Sequence, residues 1–151
     1  MHLEGTVEIA AERERAWQFL TDPQAVSRCT PGVESLEVLD PGKRFRSVAS
    51  LGLGSIKTRF TVDVEWVELT PPDRARVRAH GTAPGSTADV EAQMVLTERS
   101  PSTTELRWTA EVTILGTIAS LASRMMGGVT QKLSAQFFEC VKKNIEGNVA
   151  R

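Results

Sequence analysis

The chain has 151 residues, 40% of them hydrophobic and 25% charged, with a formal net charge of -1. That length carries a real core, and the near-neutral balance, with Lys and Arg interleaved among Asp and Glu, excludes a nucleic-acid surface. No apolar run reaches the roughly 18 residues of a membrane span, and MHLEGTVEIA lacks the basic and apolar regions of a secretory signal.

His2 to Ala10 alternates, with Leu3, Gly5, Val7 and Ile9 on one side and His2, Glu4, Thr6 and Glu8 on the other. This is the pattern of a half-buried strand. Glu12 to Leu20 changes period and predicts a short helix that stops at Asp22-Pro23. Gln24 to Arg28 adds a further helical turn before the Thr30-Pro31-Gly32 turn.

Strands follow. Glu34 to Leu39 ends at Asp40-Pro41-Gly42. Arg44 to Leu51 alternates weakly and is broken by Gly52 and Gly54. Ser55 to Leu69 places Ile56, Thr58, Phe60, Val62, Val64 and Trp66 on one face. Arg74 to His80 sets Ala75, Val77 and Ala79 opposite three arginines and a histidine. Gly81 to Thr87 reads as a Gly- and Pro-bearing interruption. Ala88 to Glu98 and Glu105 to Leu115 alternate again.

Gly116 to Glu146 is a long amphipathic helix. Ile118, Leu121, Met125, Val129, Leu133, Phe137, Val141 and Ile145 recur every three or four residues. At 1.5 Å per residue it is about 45 Å long. Short links between strands favour an antiparallel sheet, and its charged outer face leaves one face to be covered. The predicted fold is α+β: a curved seven-stranded antiparallel sheet around a long C-terminal helix, with two short helices after the first strand. Residues 1–151 are expected to form one domain.

One helix does not fill the concavity of a coiled sheet. Small inward residues (Gly5, Ala49, Ala75, Ala79, Ala92 and Ala110) leave either tight contacts or a cavity. The expected wall is Phe60, Val62, Val64, Trp66, Val77, Val90, Met94, Trp108 and Val112, closed by Leu121, Arg124, Met125 and Val129. Such a wall suits an apolar ligand; a filled core is the alternative. An unbroken i, i+4 series drifts around the helix, so Ile118 to Val129 is expected to act as the pocket lid. The second half should pack on the sheet, with a hinge at Gly127-Gly128.

Several phrases carry a family resemblance: LEGTVEI, AWQFLTDP, CTPGVESLE at Cys29 to Glu37, GSIKTRFTVDVE at Gly54 to Glu65, and LGTIASLASRMMGGVTQKLSAQFF at Leu115 to Phe138. In this order they resemble the carbon monoxide dehydrogenase CoxG family of the START-like, helix-grip (SRPBCC) superfamily. The resemblance implies a curved sheet gripping a helix around a hydrophobic pocket. It also implies a partner, a molybdenum-containing carbon monoxide dehydrogenase or related hydroxylase, and a role in membrane placement or in handling a quinone-like lipid. Two departures bear on this. His80 to Thr87 is poorer in glycine than the family's run, which predicts a different loop at the pocket rim. Some members carry a membrane-reaching tail; with the sequence ending at Arg151, tail attachment is expected to be absent or removed.

No catalytic set, metal site or cofactor site emerges. His2 and His80 fall on solvent faces without a third ligand. Cys29 and Cys140, far apart in sequence, read as reduced thiols of packing character in a cytoplasmic setting, with a disulfide between them and a nucleophilic Cys29 as the alternatives, and contact at the inner face of the membrane as a further expectation. Asp63, Glu65, Asp89 and Glu91 read as outward charges paired across strands with the Arg74, Arg76, Arg78 row. Arg124 either snorkels or meets a ligand headgroup at the mouth. Gly127 and Gly128 either bend the helix or admit something close to its backbone, and Met125-Met126 would adapt to a pocket of imprecise shape. Three functions follow. The first is non-enzymatic binding of a lipid- or quinone-like molecule. The second is a surface adaptor for enzyme assembly or membrane recruitment, with Phe137 or Phe138 pointing outward. The third is a small cyclase or hydrolase, for which only Thr58 and Arg124 are polar candidates.

Overall fold

The computed structural model describes residues 1–149. In chain order the elements are β1 (His2–Ile9), α1 (Arg13–Leu20), α2 (Pro23–Cys29), β2 (Val33–Asp40), β3 (Arg44–Leu53), β4 (Ile56–Thr70), β5 (Arg74–Ala83), β6 (Ser86–Ser100), β7 (Thr103–Gly116) and α3 (Ala119–Val149). The strands form one antiparallel sheet in the order β1-β7-β6-β5-β4-β3-β2. Strands β2 to β7 run as a meander, and β1 closes the far edge against β7. The curved sheet, long helix and two short helices expected from the periodicity are all present.

Local chemistry sets the joints. Asp22 ends α1 and also starts α2: its carboxylate accepts from the backbone N–H of Gln24 at 3.0 Å, and Pro23 occupies the first helical turn. The expected interruption at Gly81 to Thr87 is instead a tight hairpin. Ala83 pairs with Ser86, so the turn is Pro84-Gly85 alone and both strands run longer than their alternation suggested. Gly116 sits at φ +104°, and a Cβ there would lie 2.0 Å from the Gly85 carbonyl. Only glycine lets the chain leave β7 this close to the β5–β6 turn and enter α3. The alternation of β4 breaks at Val67, where Trp66 faces Val77 but Glu68 faces Arg76. The register shifts there, and Val67 and Leu69 are exposed.

Two cores hold α3 against the sheet. One joins Ile118, Ala122 and Met126 to Leu53 and Phe60. The other joins Val141 and Ile145 to Trp17 and Leu20 of α1, Cys29 of α2, and Leu96 and Leu106 of the sheet. A buried side chain such as Leu53 or Leu106 contributes about 2 kcal/mol. Thr104, fully buried, donates its hydroxyl to the Ala11 carbonyl at 2.8 Å and ties β7 to the start of α1. The outer face carries cross-strand pairs, but of the Arg74, Arg76, Arg78 row only Arg78 takes part among the described residues, with Glu91 at 3.2 Å, while Asp63 pairs with Arg46 at 2.7 Å and Asp89 with His80 at 2.6 Å. Glu65 joins no ion pair among the described residues. These pairs are exposed and individually contribute little.

The cysteines correct the sequence reading. Cys29 and Cys140 are not free thiols but a disulfide, with Cα atoms 5.4 Å apart and 111 residues between them in sequence. The bond fastens α2 to α3. Closing a loop of that length removes about 5 kcal/mol of unfolded-state freedom. The expectation of a reducing setting drew partly on the wide spacing of the two cysteines, and the bond removes that ground.

Candidate functional site

Between the two cores the helices and the sheet do not close on one another, and the space between them opens to the surface. Two neighbouring cavities share the wall formed by Leu20, Val26 and Thr30. The helix lobe, about 370 Å³, lies between α2, the middle of α3 (Thr130, Leu133, Ser134, Phe137, Phe138) and the strands β6 and β7 (Met94, Leu106, Trp108). The sheet lobe, about 330 Å³, lies beneath α2 against β2 to β5, where Phe45, Ala49, Val62, Val64, Trp66 and Val77 face it. Among the described residues no ionisable side chain lines either lobe. The polar side chains there, besides the indoles, are hydroxyls, and most of these are engaged. Thr30 donates to the Val26 carbonyl at 2.7 Å, Ser134 to Thr130 at 2.7 Å, and Ser47 to Ser35 at 2.9 Å. A space so lined takes apolar matter and excludes ions, because an unpaired charge there would lose its hydration without compensation.

Of the wall expected from sequence, Val62, Val64, Trp66 and Val77 face the sheet lobe, and Met94 and Trp108 face the helix lobe. Phe60 and Val112 are buried away from both, Phe60 within the first core, and Val90 is half-buried elsewhere on the sheet. The lid assignment is corrected. Leu121, Met125 and Val129 pack on the Leu53–Phe60 core, so the first half of α3 is a plug and the lobe lies under its middle. Arg124 is exposed and faces neither lobe, and Thr58 lies outside both. Helix α3 stays helical through Gly127 and Gly128, both exposed, and a Cβ at either would meet nothing within 4 Å. Neither a break in the helix nor a close approach to its backbone is found there. Phe137 and Phe138 do not form an outward patch. Their rings meet edge to face at 5.0 Å and both face the helix lobe.

The sequence reading missed the part played by α2. Its Ala25 and Cys29 are buried, one helical turn apart, while Val26 and Thr30 form the adjacent stripe that faces the lobes. The signal was that second i, i+4 pair beside the first, in a helix too short for periodicity to stand out. The histidines sit on the surface. His2 lies beside Glu111 and 3.3 Å from Glu4, and these carboxylates raise its pKa, Glu111 most.

Among solved structures, a conserved protein from Geobacillus kaustophilus superposes with a TM-score of 0.89 at 25% identity, covering 97% of this chain and 96% of that one. A START superfamily protein from Mycobacterium smegmatis reaches 0.72 at 14% identity, with 97% of each chain covered. The Zhui aromatase/cyclase from Streptomyces sp. R1128 reaches 0.77 at 19% identity, covering 99% of this chain and 95% of that one. The last two likenesses establish the START-like fold and nothing of activity. No curated protein matches the chain. The family model of the carbon monoxide dehydrogenase CoxG subunit matches residues 5–146, nearly the whole described chain, and the chain belongs to that family.

Proposed function

We propose that this protein binds an apolar small molecule, lipid- or quinone-like, in the two lobes beside α2, as an accessory to a molybdenum-containing carbon monoxide dehydrogenase or a related hydroxylase. The observation that carries the reading is the pair of adjoining cavities whose walls, among the described residues, hold no ionisable side chain. Family membership supports the accessory role. Likeness to an aromatase/cyclase raises the question of catalysis. Acid–base chemistry needs a titratable group at the reacting atom, and the lobes offer hydroxyls and indoles alone, which favours binding. Among the described residues no helix is long and apolar enough to cross a membrane. Contact with the inner membrane face would then be peripheral, and the cytoplasmic placement is part of this proposal.

The test is native mass spectrometry and solvent extraction of the purified protein, with titration by the neutral dye N-phenyl-1-naphthylamine. The expected result is a one-to-one apolar adduct, with dye binding displaced by the extracted molecule and abolished by Val64→Trp. A folded protein that binds neither dye nor lipid extract would overturn the proposal. Co-purification with a molybdenum-containing dehydrogenase tests the accessory role separately.

A further inference from the structure

Helix α2 is the wall common to both lobes: Val26 and Thr30 face the two of them, and Pro23 and Ser27 face the sheet lobe. It has only seven residues, too few to hold helical shape without tertiary support. Its cavity side gives it little support, because empty space faces Val26 and Thr30 there. At its end it is tied to the sheet by the Ser50 N–H, which donates to the Gly32 carbonyl at 2.8 Å. To α3 its covalent tie is the Cys29–Cys140 bond. The polar contact across that joint goes through the same sulfurs: the Asn144 amide, which donates to the Cys140 carbonyl at 2.8 Å, lies 3.7 Å from the sulfur of Cys29 and 3.6 Å from that of Cys140. No ion pair joins α2 to α3 among the described residues.

A surface cleft lies beside the joint. On the side away from the lobes, Ala25, Arg28 and Asn144 line a surface cleft of about 360 Å³ together with Arg15, Gln18 and Asp22. Cys29 is buried at 5% exposure, whereas Cys140 is half-buried. Neither Arg15 nor Arg28 joins an ion pair among the described residues. A thiolate entering the cleft would therefore meet two guanidinium groups.

We infer that the Cys29–Cys140 disulfide is a redox latch on the cavity: oxidised, it pins α2 in place as the wall shared by both lobes, and reduced, it lets α2 shift and so speeds entry and release of the apolar ligand. The inference rests on the binding reading above. The chemistry is dithiol–disulfide exchange. A thiolate of an external dithiol attacks Cys140 Sγ, the Cys29–Cys140 bond breaks, and Cys29 leaves as a thiolate that takes a proton. The second thiol of the reductant then displaces Cys140, which takes the other proton. The reductant closes to its own disulfide, and two electrons and two protons have passed to the protein.

The experiment measures the dissociation rate of N-phenyl-1-naphthylamine from the full chain, oxidised and after treatment with dithiothreitol, with thiol counts in denaturant and far-UV circular dichroism on both forms. The expected result is no free thiols as purified, two after reduction, unchanged circular dichroism, and dye release at least tenfold faster when reduced. The Cys29→Ala/Cys140→Val variant, which keeps packing without the bond, should release at the fast rate with or without reductant. Equal release rates in both forms would overturn the latch while leaving the pocket standing. Two free thiols in the protein as purified would overturn it, as would loss of the fold in both the reduced protein and the variant, which would make the bond purely structural. Failure of the dye to bind either form would remove the pocket itself and the latch with it.

Discussion

Gly5 of β1 lies directly opposite Trp108 of β7, and the indole ring lies across it. A Cβ at position 5 would sit 2.6 Å from Nε1, 2.8 Å from Cε2 and 2.9 Å from Cζ2 of that ring. Ordinary contact is about 3.5–4.0 Å, so Gly5→Ala must push the ring roughly 1 Å off β1, and Trp108 is part of the wall of the helix lobe. Gly5 has no positive φ, so the substitution strains no backbone. Alanine in a strand gains about 0.5–1 kcal/mol over glycine, while overpacking costs about 1–3 kcal/mol. The net expectation is a loss of about 1–2 kcal/mol, with weaker dye binding in the lobe. In a Trp108→Leu background the clash is gone and Gly5→Ala should be neutral or stabilising by up to about 1 kcal/mol. The cycle therefore predicts a coupling of about 2 kcal/mol between the two positions. Urea unfolding of the four proteins measures it. If Gly5→Ala has the same effect in both backgrounds, to within about 0.5 kcal/mol, the ring does not rest on β1 and the lobe's wall is wrongly drawn.

Three further outcomes are expected. The carboxylates of Glu111 and Glu4 raise the His2 pKa above its ordinary 6.5. Protonated His2 therefore favours the fold below that value, and the benefit is lost as pH rises through the raised folded pKa; an NMR titration of the imidazole should show the raised midpoint, and Glu111→Gln should lower it. Reduction of the disulfide should lower the melting temperature by about 10–20 °C, from about 5 kcal/mol of loop entropy at roughly 2–4 °C per kcal/mol; a calorimetric shift under about 3 °C would refute the entropic estimate. Gly127→Ala and Gly128→Ala place methyl groups in open space on a continuous helix, so each should stabilise by about 0.8–1 kcal/mol in thermal melts, and a loss at either would restore the idea of a required bend.

Much of the fold was legible because its periods are clean. Leu3, Gly5, Val7 and Ile9 alternate, and so do Phe60, Val62, Val64 and Trp66, whereas the spacing from Ile118 to Ile145 is helical. The site was legible only on its sheet side. A helix residue that plugs a core and one that covers a cavity obey the same spacing, so Leu121, Met125 and Val129 could not be told apart from Leu133 and Phe137 by pattern. The difference depends on what lies opposite: Leu53 and Phe60 fill the space under the first group, while under the second the strands recede towards Met94 and Trp108. The register shift between Trp66 and Glu68 was hidden for another reason. A bulge adds a residue without changing composition, and only the partner strand shows it. The disulfide stood only as an alternative in the sequence because 111 residues separate its cysteines and no local motif accompanies either.

The lobes exist because one helix serves two cores on a twisted sheet. At 100° per residue, the direction of Val141 is turned about 140° from that of Ile118, and each end of α3 finds its own partners. Between those ends the sheet curls away, and α2 spans the gap without filling it. An unfilled space of this kind is either a packing defect or a reserved site, and the two differ measurably. Ala49 of β3 faces the sheet lobe and belongs to neither core. Ala49→Leu would bury three more carbons there, worth up to about 2 kcal/mol at roughly 0.8 per methylene. If the lobe is kept open for a ligand, the variant should gain stability, by about 0.5–2 kcal/mol in urea unfolding, and lose dye binding in the same step. A variant that loses more than about 1 kcal/mol would show that the space is already committed to packing, and one that gains stability while binding dye unchanged would place the ligand in the helix lobe alone.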